Sequence, residues 1–212
     1  MKVNLDRTHI RNFLTLRYNP LQNTTKSLAN TKTFSTVNSD PDGKLLEKLL
    51  LESVNKLTKN KNVISIIRAI KKLHQMGIKV NCCIIGYGEE FYKIQHSLVL
   101  NDLSKYVDLF GYQSDVIKYY AKSKIFVQSS KYEGLSLSLI ESMYMELVPI
   151  LTNAGSEKDY IIDYQNGLYF EYDNSDELAE KIKYALVPKN YSRLQKNVLD
   201  TKKSFRITQN YK

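Results

Sequence analysis

Two glutamates, Glu133 and Glu141, stand with seven residues between them in the run Glu133-Gly134-Leu135-Ser136-Leu137-Ser138-Leu139-Ile140-Glu141. The residues just before, Ser129-Ser130-Lys131-Tyr132, follow a short apolar run at 125–128, and the residues from about Ser136 to Met145 read as a helix. A loop that leaves a buried strand and enters a helix turns unpaired backbone N–H groups and the positive helix end towards the crevice, which makes an anion site. Glu133 lies just outside that helix, and Glu141 lies roughly one and a half turns beyond Ser136 at 3.6 residues per turn. Carboxylates so placed can accept hydrogen bonds from hydroxyl pairs on either side of a bound diphosphate, and a sugar and a ribose own such pairs. The plainer alternatives are a helix-start residue complementing the dipole for Glu133 and a solvated helix residue for Glu141.

The elements that must hold this loop are those of an α/β domain. From about Leu45 helical stretches alternate with short, strongly apolar runs, the pattern of a parallel sheet with helices on its faces. Residues 49–54 are read as the first strand, although the overlapping LLEKLL would suit a helix equally well. Val63, Ile66, Ile67, Ile70 and Leu73 repeat at helical spacing and stop at Gly77, which suits a C-terminal cap. Further strands are expected at 80–85, 107–110, 125–128, 148–151 and 168–170. Helices are expected at about 89–98, 115–121, 136–145, 157–162 and 175–186. This order predicts a single Rossmann-like, doubly wound parallel sheet over residues 45–187. Residues 1–44 read as an irregular arm, and residues 188–212 as a basic tail that either adds a helix or stays loose. In such sheets ligands bind beyond the carboxyl ends of the strands, so the loops at 55–62, 86–89, 111–115, 129–136 and 153–156 are the ones that matter.

The residues of several of these loops resemble one family, the retaining GT-B glycosyltransferases grouped as glycosyltransferase family 4. The segment from Glu133 to Glu141, with Ser142-Met143 after it, is similar to the family's signature of two glutamates seven residues apart followed by Ala-Met. Val54-Asn55-Lys56-Leu57, with Lys61 five positions after Lys56, resembles its Val-Gly-Arg-Leu and following Lys. Gly86-Tyr87-Gly88 resembles its Gly-Asp-Gly turn, Leu109-Phe110-Gly111-Tyr112 its Phe-Leu-Gly strand end, and Asn166-Gly167-Leu168 its Asn-Gly-Leu turn. The resemblance covers about residues 49–187 and implies the C-terminal, donor-binding half of a GT-B fold.

Carried across, the resemblance implies that Glu141 binds the ribose and that Glu133 serves catalysis at the donor sugar. Gly134, Leu135, Ser136 and Leu137 would hold sugar and phosphate. Lys56 and Lys61 would contact the diphosphate and stabilise charge developing on the leaving group. No metal or other cofactor is expected. Lys56 stands where the family has Arg, so it offers a point charge rather than a planar two-pronged contact, and Asn55 replaces a Gly. Taken alone, Lys56 and Lys61 could equally be surface charges, and Gly86-Tyr87-Gly88 is most simply a turn, lacking the third glycine of a dinucleotide fingerprint. His9, His74 and His96 have no evident catalytic partners, and no nucleophilic triad or metal cluster is apparent.

The 212 residues carry a net charge of +9, distributed as +6 over residues 1–61, −4 over 62–182 and +7 over 183–212. Basic flanks suit a solvated surface first, an anionic membrane face second and nucleic acid last. They lack the interleaved aromatic platforms of a nucleic-acid binder, and no nucleic-acid partner is expected. The only cysteines, Cys82 and Cys83, are adjacent, so on a strand they point to opposite faces and form no easy disulfide with each other. No apolar run approaches the ~18 residues of a membrane-spanning helix, and no signal-peptide core is present. A cytoplasmic protein, at most peripheral to the inner face of a membrane, is the expectation.

The 45 or so residues before the domain are too few for the second Rossmann-like domain of a complete GT-B enzyme. The expected partners are therefore a nucleotide-sugar donor, a glycan or lipid-linked acceptor, and a source of the N-terminal domain such as a partner chain. The leading expectation is retaining, hexosyltransferase-type sugar transfer in surface polysaccharide synthesis. The alternative is a catalytically incomplete module that binds nucleotide sugar or pairs with a transferase.

Overall fold

In the computed structural model, residues 47–52 and 56–207 are described. The expected arm at 1–44 and the last residues of the basic tail lie outside them. Among the described residues six strands form one sheet: β1 (Glu47–Glu52), β2 (Val80–Ile85), β3 (Val107–Phe110), β4 (Ile125–Gln128), β5 (Val148–Thr152) and β6 (Leu168–Phe170). Every pairing is parallel, and the spatial order is β3-β2-β1-β4-β5-β6. This is the Rossmann order, whose topological switch falls between β1 and β4. The doubly wound parallel sheet expected from the sequence is thus the fold observed.

The helices of the described residues are α1 (Val63–Gln75), α2 (Phe91–Leu100), α3 (Ile117–Tyr120), α4 (Leu137–Tyr144), α5 (Ser175–Leu186) and α6 (Pro188–Ile207). A short 3-10 turn at Lys59–Lys61 leads into α1, and another at Ser156–Asp159 follows β5. The alternation of side chains along each strand sorts the core into two layers. Val80, Cys82, Ile84, Ile125, Val127, Val148 and Ile150 pack with α1, α2 and α5 on one face. Ile85, Phe126 and Leu151 pack with α3, α4 and Ile161 on the other. Cys82 belongs to the first layer and Cys83 packs against the second, as expected of neighbours on one strand.

α1 shows how local sequence sets these layers. Val63, Ile66, Ile67, Ile70 and Leu73 are all buried, and the chain leaves the helix through Gly77 at φ 78, where a side chain would be strained. The starts of α2 and α3 differ slightly from expectation for identifiable reasons. α2 starts at Phe91 rather than near Glu89, because the Glu90 N–H is taken by the carbonyl of Leu57 and the turn closes through Phe91 N–H on Gly88 O. α3 starts at Ile117, whose N–H is accepted by the Asp115 carboxylate. Instead of the helix expected near 157–162 there is only the 3-10 turn. The Asn166 side chain accepts from the Ile162 N–H at 2.7 Å and donates to Tyr160 O at 2.8 Å, occupying groups that a longer helix would use.

The segment after Pro188, open on sequence between an extra helix and a loose tail, is α6. Leu194 is fully buried in the first layer and Val198 fully buried in the second. Asn166 also donates to Thr201 Oγ1 at 2.9 Å, tying the turn before β6 to this helix. Gly167 completes the turn, because a Cβ there would meet Ile161 at 2.8 Å and Pro149 at 3.1 Å. The Asn166-Gly167-Leu168 motif thus acts in folding.

Candidate active site at the switch point

The loops after β1 and β4 lie side by side at the carboxyl ends of neighbouring strands. Asn60 ties them together: its amide donates to Tyr132 O at 2.9 Å, its side-chain oxygen accepts from Tyr132 N–H at 3.1 Å, and its carbonyl accepts from Lys131 N–H at 2.8 Å. Ser129 adds a hydroxyl donated to Lys61 O at 2.7 Å. Across this seam Lys61 Nζ reaches Glu133 Oε1 at 2.5 Å, and Ser130 Oγ donates to the same oxygen at 2.5 Å. The Glu133 side chain is only 11% exposed and that of Lys61 28%, so the pair is partly desolvated and less screened by salt than one on open surface.

α4 rises from this loop. Ser136 is its N-cap, accepting from Leu139 N–H at 3.3 Å and donating to Gln128 Oε1 at 2.5 Å, and this explains why the helix proper begins at Leu137. Leu137 is 37% exposed. Gly134 is exposed, and Leu135 is half-buried. Glu141, inside the helix, is 3% exposed, which removes the solvated-surface alternative for it. Lys56 is exposed, four residues beyond the end of β1.

The Gly86-Tyr87-Gly88 turn braces the other side of the β1 loop. Leu57 N–H donates to Tyr87 O at 3.1 Å, and Glu90 N–H donates to Leu57 O at 2.9 Å. The two backbones touch so closely that a Cβ on Gly88 would lie 2.6 Å from Leu57 O and 2.7 Å from Leu57 N. Gly88 is there for that approach, and no phosphate is needed to explain it.

Several supporting residues were not singled out from the sequence. Ser130 and Thr152 are buried polar groups at the carboxyl ends of β4 and β5, with Thr152 Oγ1 donating to Ser130 O at 2.5 Å. Gln128, the last residue of β4, and Ser129 and Ser130 after it form a buried polar run at the end of an otherwise apolar strand, which is the signal that could have marked them. Glu157, 1% exposed, lies beneath the loop after β5. Burial, and then its negative charge, raise the hydroxyl pKa of Tyr160 and push that of Tyr169 up to about 12, so both phenols stay protonated. His74 and His96 are remote from these residues. His74 bonds with Val80 at the start of β2, and His96 is exposed on α2.

Taken together, the site offers a carboxylate and a cation at a Rossmann switch point with a helix N-terminus beside them, while Glu141 lies buried farther along that helix. Such a set can grip a ligand that carries both anionic charge and hydroxyl groups.

Known proteins resemble this chain in sequence and in fold. A diacetylbacillosamine-containing glycan-PP-undecaprenol alpha-1,4-N-acetyl-D-galactosaminyltransferase of Campylobacter jejuni is 28% identical over 169 residues, which is 79% of this chain and 47% of that protein. The C-terminal domain of LpcC, a glycosyl transferase group 1 family protein from Francisella tularensis, superposes with a TM-score of 0.66 at 23% identity, covering 78% of this chain and 86% of that one. The pneumococcal O-GlcNAc transferase GtfA, solved with UDP and GlcNAc, gives a TM-score of 0.68 at 18% identity over 74% of this chain and 32% of its own. The two solved neighbours are GT-B glycosyltransferases, and this chain shares the fold of the part that it covers in each. It spans 32–47% of the length of the first curated relatives it matches. The pattern of the family described as "Glycosyl transferases group 1" matches residues 36–199, well over half of the 212, and the chain belongs to that family.

Proposed function

We propose that this chain is the donor-binding half of a retaining, hexosyltransferase-type glycosyltransferase of family 4, in which Glu133 and Glu141 are the paired glutamates of the signature. The observation that carries this is the Glu133 carboxylate, fixed at the switch point by Lys61 and Ser130. In this assignment Lys61 and Lys56 neutralise the donor diphosphate, Glu133 meets the sugar, and Glu141 takes the ribose hydroxyls. The main chain of Gly134, Leu135, Ser136 and Leu137 lines the sugar and phosphates. Lys61 already donates to Glu133, so an entering diphosphate would join an existing ion pair and draw Lys61 towards it.

When the bond between the anomeric carbon and the diphosphate oxygen breaks, negative charge grows on the leaving group, and the lysines stabilise it where it forms. No metal cofactor is part of this assignment. The acceptor is a glycan or lipid-linked glycan in surface polysaccharide synthesis, a choice supported by the undecaprenol-linked substrate in the name of the Campylobacter relative. The acceptor side of the cleft comes from a second Rossmann-like domain, in the same protein or in a partner chain. The setting is cytoplasmic, at most peripheral to the inner face of a membrane. Among the described residues no helix is long and apolar enough to cross one.

Calorimetric titration with UDP, UDP-glucose, UDP-GlcNAc and UDP-GalNAc tests the donor assignment, and binding of at least one is expected. Lys61→Met is expected to weaken it about tenfold, the scale of one partly exposed charge-assisted hydrogen bond. No binding of any nucleotide sugar, including GDP- and ADP-linked ones, at millimolar concentration would refute it. The alternative assignment is a module that binds nucleotide sugar, or pairs with a transferase, without transferring the sugar itself. Sugar transfer by the isolated chain would exclude that one.

A further inference from the structure

Glu157 has no place in the donor assignment, yet it is an acid buried to 1% exposure a short distance from the site. Its Oε1 accepts two consecutive backbone N–H groups, from Ala154 at 2.5 Å and from Gly155 at 2.7 Å. Those two residues form the loop after β5, and that loop grips the main chain of the β4 loop at successive points. Ala154 O accepts from Glu133 N–H at 2.9 Å. Ser156 Oγ donates to Gly134 O at 2.9 Å. Between these two bonds Gly155 lies so tightly against Glu133 that a Cβ on it would collide with Glu133 O. The φ of Gly155 is −174°, outside the left-handed region, and the close approach is what excludes a side chain there.

We propose that Glu157, through the arch of residues 154–156, is a positioning residue for Glu133: it sets the height of the β4 loop so that the carboxylate reaches the donor sugar. The chemistry explains the residue type. Two adjacent N–H groups at a sharp turn converge on one point, and a carboxylate oxygen accepts both, whereas an apolar residue would leave them buried and unpaired. Lys61 and Ser130 hold the tip of the Glu133 side chain, and the arch holds its main chain. An error of about 1 Å in a group that must meet a sugar hydroxyl is costly, because hydrogen bonds weaken steeply with distance and angle.

This inference rests on the assignment of Glu133 to the donor sugar, and the test separates the two. The affinities of UDP and of the preferred UDP-sugar are measured by calorimetry on the full chain and on Glu157→Ala, Glu157→Gln, Gly155→Ala and Ser156→Ala, with a thermal melt of each. Glu157→Ala and Gly155→Ala are expected to lose about tenfold or more in affinity for the sugar nucleotide while UDP stays within about threefold. Glu157→Gln keeps an acceptor oxygen for both N–H groups and is expected to retain most of the sugar-nucleotide affinity. Ser156→Ala removes only the bond to Gly134 O, and is expected to lose about two- to fivefold for the sugar nucleotide alone; it keeps the test decisive should a buried substitution fail to fold. Equal losses for UDP and sugar nucleotide, or no loss in any variant, overturn the positioning role. A parent chain that binds neither ligand overturns the donor assignment, and this inference falls with it.

Discussion

Replacing Gly88 by alanine tests the brace on the β1 loop. Its new methyl would meet three backbone atoms of Leu57, at 2.6 Å from O, 2.7 Å from N and 3.0 Å from C, none of which can rotate away as a side-chain tip could. Relief requires the turn and the loop to separate by several tenths of an ångström. Overpacking of this kind costs about 1–3 kcal/mol. The same separation stretches the two hydrogen bonds between these segments, Leu57 N–H to Tyr87 O and Glu90 N–H to Leu57 O, each contributing about 0.5–1.5 kcal/mol. Weakening them partially brings the expected loss to about 2–4 kcal/mol, and at roughly 2–4 °C per kcal/mol for a domain of this size the melting temperature falls by about 4–16 °C. The loop that moves carries Lys61, so affinity for UDP should fall as well. Calorimetric melting and UDP titration of Gly88→Ala against the parent check both effects. A variant melting within about 2 °C of the parent would show that the turn is slack and that the close approach does not shape the site.

Buried and half-buried titratable groups supply three more expected outcomes. Glu141→Gln, nearly unchanged in volume at a site 3% exposed, is expected to lose about tenfold to a hundredfold in UDP affinity as charge-assisted hydrogen bonds become neutral ones, and a large drop in melting temperature with unchanged affinity would assign Glu141 to folding instead. Burial, outweighing its hydrogen bond to Val80, holds His74 below its ordinary pKa, so the unfolded chain binds the proton more readily; the contribution is complete above pH ~6.5 and shrinks as pH falls below it, and His74→Gln should flatten melting temperature between pH ~7.5 and ~5.5 relative to the parent. Burial likewise raises the Cys82 thiol well above its ordinary value, so Cys82 should resist a thiol-disulfide reagent such as Ellman's in the native protein and react only after denaturation, read by mass spectrometry of the labelled peptide.

Features of the site that are local along the chain are legible in the amino-acid sequence itself. The spacing of Glu133 and Glu141 and the alternation at Cys82-Cys83 depend on residues close together along the chain, on one loop and helix or on one strand. The first strand is legible in kind but shifted, observed at Glu47–Glu52 against the 49–54 expected, because a leucine-rich run carries no period to set its register. What escapes is long-range. Lys61 and Glu133 stand 72 residues apart and meet only because β1 and β4 are neighbours in the sheet. The grip of Gly155 on Glu133 likewise needs β4 beside β5, which no window of residues displays. α6 is ambiguous on sequence because its buried positions, Leu194 and Val198, are sparse among lysines and asparagines.

Those two residues have a further consequence, for synthesis in the cell. Leu194 closes one side of the sheet and Val198 the other. A ribosome adds residues one at a time from the N-terminus, so the first layer is incomplete until Leu194, and the second until Val198, has cleared the exit tunnel. The preceding strands must therefore wait with apolar surface uncovered while the rest is made. Folding of this domain is a late event in its own translation, and chaperone capture of nascent chains should be greatest just before α6 emerges.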